Sequence, residues 1–254
     1  MNAPTLTIAN DAEDLAERAA GRFLQAAREA ISQRRRFTAA LAGGSTPEKL
    51  YALLAQPGYA DRIDWQLCDL LLGDERFVPL DDSRSNYALI RRTLLAAGTV
   101  PADRVFPVPV QSATVEEAAA AYEETLATVF GVPDRRRPPR FDLILLGLGD
   151  DGHTASLFPN APSLAVTDRW VVASPPGTLP PPVDRITFTY PVLNAARRVL
   201  FLVSGEKKAP VLKELLEGQP RPEIRPAAGV RPVDGTVEWL VDEAAASALT
   251  RRSH

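Results

Sequence analysis

The chain has 254 residues, 45% hydrophobic and 24% charged, with a formal net charge of −3. That length is ample for a sizeable core, and the near-neutral balance gives no reason to expect nucleic acid or an anionic membrane as a partner. One cysteine, Cys68, and two histidines, His153 and His254, exclude a disulfide framework or a Cys- or His-rich zinc site within one chain.

The opening residues lack a basic stretch followed by an apolar one, and no run reaches the roughly eighteen apolar residues of a membrane span, so a cytoplasmic location is expected. Residues 6–9 form a short apolar run, and Asp11 is a plausible cap for the helix in which Leu15, Ala19, Phe23, Ala27 and Ile31 recur at helical spacing. Residues 37–42 read as a strand, 47–54 as a helix opened by proline, and 65–72 as a second apolar strand. Residues 86–97 and 115–130 are amphipathic helices, and residues 141–146 are apolar enough for a central parallel strand buried on both faces. Further strands are expected at 170–173, 186–189 and 199–203, and a helix at 207–217. Residues 237–241 then lead into a final alanine-rich helix. Loops rich in Pro and Gly fall at 133–139, 175–182 and 219–232. No repeat or composition break divides the chain, so residues 1–254 are expected to form a single α/β domain. Its expected architecture is a Rossmann-like sandwich with a mostly parallel central sheet flanked by helices. Ligands of such folds sit beyond the carboxyl ends of the strands.

Four strand ends carry chemistry. In Leu41-Ala-Gly-Gly-Ser-Thr-Pro47 a strand enters two glycines and then a helix start, an arrangement that offers backbone N–H groups and a favourable dipole to an anion. The lysine-bearing phosphate loop of nucleotide hydrolases is absent. Leu72-Gly-Asp-Glu-Arg-Phe77 continues through Asp81-Asp-Ser-Arg-Ser-Asn-Tyr87, crowding four acids, two arginines and an asparagine at one strand exit.

The third end, within residues 141–159, has Gly147, Gly149 and Gly152 at G-x-G-x-x-G spacing. Asp150 and Asp151 would place negative charge where a pyrophosphate belongs, and Pro159 and Pro162 cut short the helix that should follow, so a dinucleotide site is rejected. His153 follows the glycines directly, beside those two acids, and imidazole can take and return a proton near neutrality. No G-x-S-x-G elbow supports a serine hydrolase. The fourth end, Val203-Ser-Gly-Glu-Lys-Lys-Ala209, puts two lysines in a helix's first turn, where the dipole disfavours cations unless an anion is bound.

As an ordered set these segments, with Arg185-Ile-Thr between the third and fourth, resemble the 6-phosphogluconolactonase family over roughly residues 37–217. The run Gly152-His-Thr-Ala-Ser-Leu-Phe-Pro159 is the most specific part. Glucosamine-6-phosphate deaminases share the fold and looser forms of the motifs. The resemblance implies hydrolysis of 6-phospho-D-glucono-1,5-lactone to 6-phosphogluconate in the oxidative pentose phosphate pathway, with no cofactor and no metal. It implies His153 as general base, and Gly43, Gly44, Ser45, Arg185 and Lys208 as holders of the phosphate. Asp74 and Arg76 would stand at the reacting end of the sugar, with Arg84 and Asn86 as further substrate contacts. Lys208 is preferred to Lys207 by the family's Gly-x-x-Lys spacing, whereas Asp74 and Glu75 are not told apart. The implied partner is a small sugar phosphate, and the expected assembly is a monomer or weak homodimer. The rival readings are an amino-sugar phosphate deaminase using Asp74 as a carbon-acid base and a non-enzymatic sugar-phosphate sensor. No terminal basic helix-turn-helix supports the latter.

Overall fold

The computed structural model describes residues 3–134, 136–177 and 182–250. Among these, ten strands form two sheets. They are β1 (Thr5–Ala9), β2 (Phe37–Leu41), β3 (Cys68–Leu72), β4 (Asp74–Arg76), β5 (Val105–Phe106), β6 (Leu143–Leu146), β7 (Val171–Ser174), β8 (Arg185–Phe188), β9 (Arg198–Val203) and β10 (Thr236–Asp242). The main sheet has the order β1-β10-β9-β6-β2-β3-β5 and is parallel throughout. Strands β2, β3 and β6 are buried at every residue, as a sheet covered on both faces requires.

The helices are α1 (Ala12–Arg34), α2 (Ser45–Leu54), α3 (Pro57–Ala60), α4 (Asn86–Ile90), α5 (Val115–Phe130), α6 (Tyr190–Ala195) and α7 (Ala209–Glu217). The Asp11 carboxylate caps α1 by accepting from Glu13 N and Asp14 N, and Leu15, Ala19, Phe23 and Ala27 form its buried face. Thr114 caps α5, and Gly131 ends it in the left-handed conformation.

Several expected elements differ in instructive ways. Residues 170–173 and 186–189 do form strands, but in a separate antiparallel sheet of order β4-β8-β7. The link between β7 and β8, residues 175–184, is too short for the crossover of a dozen or more residues that parallel pairing needs. The expected strand 65–72 begins with a 3₁₀ turn at Trp65–Leu67, because the Asp64 carboxylate accepts from Gln66 N and caps a turn there. The expected helix 86–97 is α4 followed by a π-wound stretch at Arg91–Leu95. Within it the Thr93 hydroxyl donates to Leu89 O at 2.7 Å and competes for that carbonyl. The expected helix 207–217 starts with a 3₁₀ turn at Glu206–Lys208 and becomes α-helical only at α7.

The final alanine-rich helix does not form. Residues 243–248 are turns, and Asp242 ties them down by accepting from Ala245 N at 2.7 Å while also accepting from Gly205 N at 3.1 Å. The expected loops at 133–139 and 175–182 fall partly outside the described residues. No helix among the described residues is long and apolar enough to cross a membrane.

Candidate active site

In the main sheet the chain moves outward in opposite directions from β2 and β6, which are adjacent. Their carboxyl ends therefore flank the switch point where α/β sheets open a crevice. A cleft of about 250 Å³ lies there, between the exits of β2, β6 and β9 and the start of β4. Gly43, Gly44, Ser45, Asp74, Arg76, Asn86, His153 and Lys208 all line it. Arg84 and Arg185 do not. The Arg84 guanidinium is exposed and paired with Asp82 at 2.7 Å, so only its carbonyl serves the site, accepting from Arg76 Nη1 at 2.9 Å. Arg185 is buried on β8 opposite Arg76 on β4. Burial, and next the charge of Arg76, push its pKa down. The sequence-based division of Arg185 and Arg76 between opposite ends of the substrate thus meets a structure in which the two are cross-strand neighbours.

The β2 exit is shaped by two glycines. A Cβ on Gly43 would lie 1.7 Å from Asn86 Oδ1, so the backbone comes this close to Asn86 only without a side chain. Gly44 has φ of 107° and precedes α2 with no side-chain cap, leaving the first-turn N–H groups of α2 to whatever enters the cleft.

The β6 exit carries His153. Its Nδ1 lies 2.6 Å from Asp151 Oδ1, and that same oxygen accepts from His153 N at 3.1 Å. Burial alone would raise the Asp151 carboxyl, but hydrogen bonding and charge from His153 outweigh it and hold the pKa below its ordinary value. An ionised carboxylate can only accept, so Nδ1 is the donor of this pair. Gly149 permits the pairing, since a Cβ there would fall 2.0 Å from His153 Nδ1. Phe158 packs on the imidazole with ring centroids 4.9 Å apart. Past the histidine, Ala155 sits at φ 47°, strained for a residue with a Cβ.

The β4 segment explains why Asp74 and Glu75 differ. Extended backbone sends alternate side chains to opposite faces; Asp74 and Arg76 line the cleft while Glu75 is fully buried. Burial pushes the Glu75 carboxyl up. It accepts from Arg76 N, Asn86 N, Tyr87 N and the Ser85 hydroxyl, all within 3.0 Å, and so fixes the segment that carries Asn86. Asn86 Nδ2 donates to Asp74 O at 2.9 Å, and its Oδ1 accepts from Arg76 Nη1. The Ser156 hydroxyl donates to Asp74 Oδ2 at 2.6 Å. Arg76 Nε is buried without a hydrogen-bond partner. At the β9 exit, Lys208 Nζ pairs with Asp150, whereas Lys207 is exposed and outside the cleft lining.

The profile of the glucosamine-6-phosphate isomerases/6-phosphogluconolactonase family matches residues 10–239. The chain belongs to that family. It is similar to a 6-phosphogluconolactonase of Synechocystis sp., 39% identical over 247 residues that cover 97% of this chain and 99% of the relative. The similarity to the human 6-phosphogluconolactonase is 42% over 223 residues, covering 85% and 82% of the two chains. Among solved structures, 6-phosphogluconolactonase from Trypanosoma cruzi superposes with a TM-score of 0.87 at 30% identity, covering 98% of each chain.

Within this family fold, the supporting roles of four residues were not legible in the sequence. Ser156 was visible only as part of a motif, and its contact with Asp74 spans 82 positions. Asp151 and Asp150 are adjacent acids, yet one holds His153 and the other Lys208. The segment after Gly218, which carries no diagnostic motif, supplies Arg225. Its Nη1 donates to Asp151 O at 3.2 Å, and it packs so tightly on Gly152 that a Cβ there would meet Arg225 Cδ at 2.5 Å. The pattern Asp-Glu-Arg was a usable signal for the β4 alternation had those residues been read as extended.

Proposed function

We infer that this protein hydrolyses 6-phospho-D-glucono-1,5-lactone to 6-phospho-D-gluconate, with His153 as general base. The observation that carries the mechanism is His153, held 2.6 Å from Asp151 and lining the same cleft as the uncapped start of α2 and Lys208. The phosphate docks on the Gly43–Ser45 loop and Lys208, drawing on backbone donors and a charge-assisted contact. Arg185, the cross-strand neighbour of Arg76, adds its charge. Anchoring that end holds C1 of the lactone against the histidine.

His153 Nε2 takes a proton from water as the water oxygen bonds to C1, and the carbonyl electrons move onto the carbonyl oxygen. Arg76 stabilises that oxyanion. That contact is worth about 3–4 kcal/mol in the transition state. Collapse of the intermediate breaks the bond from C1 to the ring oxygen, and the imidazolium returns its proton to that oxygen. Asp151 keeps the imidazole oriented throughout. Asp74, held by Ser156 and Asn86, contacts sugar hydroxyls near C1. The reaction as written consumes water and needs neither metal nor cofactor.

The test is lactone hydrolysis measured against the spontaneous background, beside ammonia release from glucosamine 6-phosphate. Rapid lactone loss without ammonia supports the assignment. Ammonia release with lactone loss at the background rate overturns it.

A further inference from the structure

At the amino edge of the main sheet, opposite the cleft, a second crevice of about 330 Å³ lies between the end of α1 and the starts of β6 and β9. Four guanidiniums line it, those of Arg34, Arg140, Arg197 and Arg198, against three carboxylates, those of Glu29, Asp142 and Asp234. The carboxylates pair closely with only two of the four, Arg34 and Arg198. Asp142 is occupied by Thr38 N at 2.9 Å, the Thr38 hydroxyl at 3.1 Å and Arg34 Nη2 at 2.8 Å. Arg197 Nε comes only to 3.4 Å from Asp142 and is buried with no hydrogen-bond partner. Arg140 Nη2 donates at 2.7 Å to the neutral carbonyl of Asp234, and Arg198 pairs with Glu29.

Burial, then the charges of Arg140 and Arg34, push the Arg197 pKa down, with Asp142 opposing. Like charges crowded this way are stabilised by an added anion. The lining has no aromatic side chain on which a nucleobase could stack and is polar nearly throughout, which favours a small oxyanion matched to the guanidinium fork.

We propose that this crevice is a second anion site, separate from the catalytic cleft, that binds inorganic phosphate or the phosphate group of a small monoester. Arg140 and Arg197 supply the direct contacts, while Arg34 and Arg198 supply the surrounding field. Nothing in this assignment depends on the lactonase reading, because no residue is shared between the two sites.

Side-chain Nε–Hε NMR of the whole protein, titrated with inorganic phosphate and then with glycerol 3-phosphate, tests it directly. The Arg140 and Arg197 resonances shift saturably with phosphate but not with sodium chloride at equal ionic strength. The same shifts persist in Lys208→Gln, which disables the cleft. The ligand that saturates at lower concentration identifies whether free phosphate or a monoester is preferred. Arg140→Gln, at an exposed position that leaves the core intact, weakens the affinity read from Arg197 by at least about tenfold. Shifts that are equal in sodium chloride, that never saturate, or that vanish in Lys208→Gln overturn the proposal.

Discussion

The two edges of the main sheet both gather charge, but by different means. At the carboxyl edge, glycine-bearing loops expose the backbone, α2 presents an uncapped N-terminus, and single copies of His153 and Lys208 complete the cleft. At the amino edge α1 ends with Arg34 in its last turn, and four guanidiniums line the crevice beside the turn at Asp234–Gly235. The polarity of a parallel α/β sheet explains the contrast. Helix starts, with their positive dipole ends, face the carboxyl edge, so backbone can bind anions there. Helix ends face the amino edge, where only long cationic side chains can do so. Chemistry that needs atoms held to fractions of an ångström belongs to the first arrangement, since backbone donors cost little to order.

The largest way to sharpen this contrast is to remove the proton-transferring group. His153→Ala is expected to lower kcat by roughly 10²–10⁴, with KM little changed. In the wild type the rate falls as acid protonates an imidazole that must be neutral to act, and the mutant's residual rate loses that limb once background hydrolysis is subtracted. A mutant with near-normal kcat and the same acid limb rules the mechanism out and brings Asp74 forward as base.

Loss of close approach comes next. Gly149→Ala forces a Cβ into His153, and Gly43→Ala forces one into Asn86. Each is expected to cost about tenfold or more in kcat/KM while the fold survives, as thermal melting would show; undiminished activity would mean that the backbone does not set the geometry. Lys208→Ala should lower kcat/KM by about 1.5–3 kcal/mol through KM, and Lys207→Ala by much less. Steady-state kinetics showing the reverse order would place the wrong lysine at the phosphate.

A smaller effect concerns acid stability. The folded pKa of Asp151 is depressed, so its stabilisation is present above the ordinary carboxylate pKa of about 3.9 and is lost as pH falls through the lowered value. Asp151→Asn should flatten that part of the melting temperature profile, whereas an unchanged profile would show that the pair adds no stability. The smallest effect is expected at the other edge. Arg140→Gln leaves kcat and KM unaltered, and any large change in either would couple two regions that share no lining residue.

Much of the cleft was legible because glycine, proline and the single internal histidine mark strand ends regardless of context. Gly43, Gly44, His153 and Lys208 sit at exits set by apolar runs, and all four line the cleft. Arg84 and Arg185 could not be judged the same way. Arg84 turns back to its neighbour Asp82, and Arg185 lies on a strand of the second sheet, a sheet that local pattern did not separate from the first. The link between Ser156 and Asp74 and the support from Arg225 join residues far apart in the chain, and no periodicity carries such information.

By itself the sequence determined the alternation of buried strands and amphipathic helices, because hydrophobic period and capping chemistry are local properties. It also marked the glycine-bearing turns that line the cleft, because a left-handed or crowded backbone excludes other residues. Only the tertiary structure decided that Asp151, and not Asp150, holds His153, that Glu75 is an internal brace while Asp74 lines the cleft, and that four arginines from separate segments converge at the far edge. Each of those outcomes depends on which strands become neighbours and at what register, and burial and pairing at a given position follow from that packing.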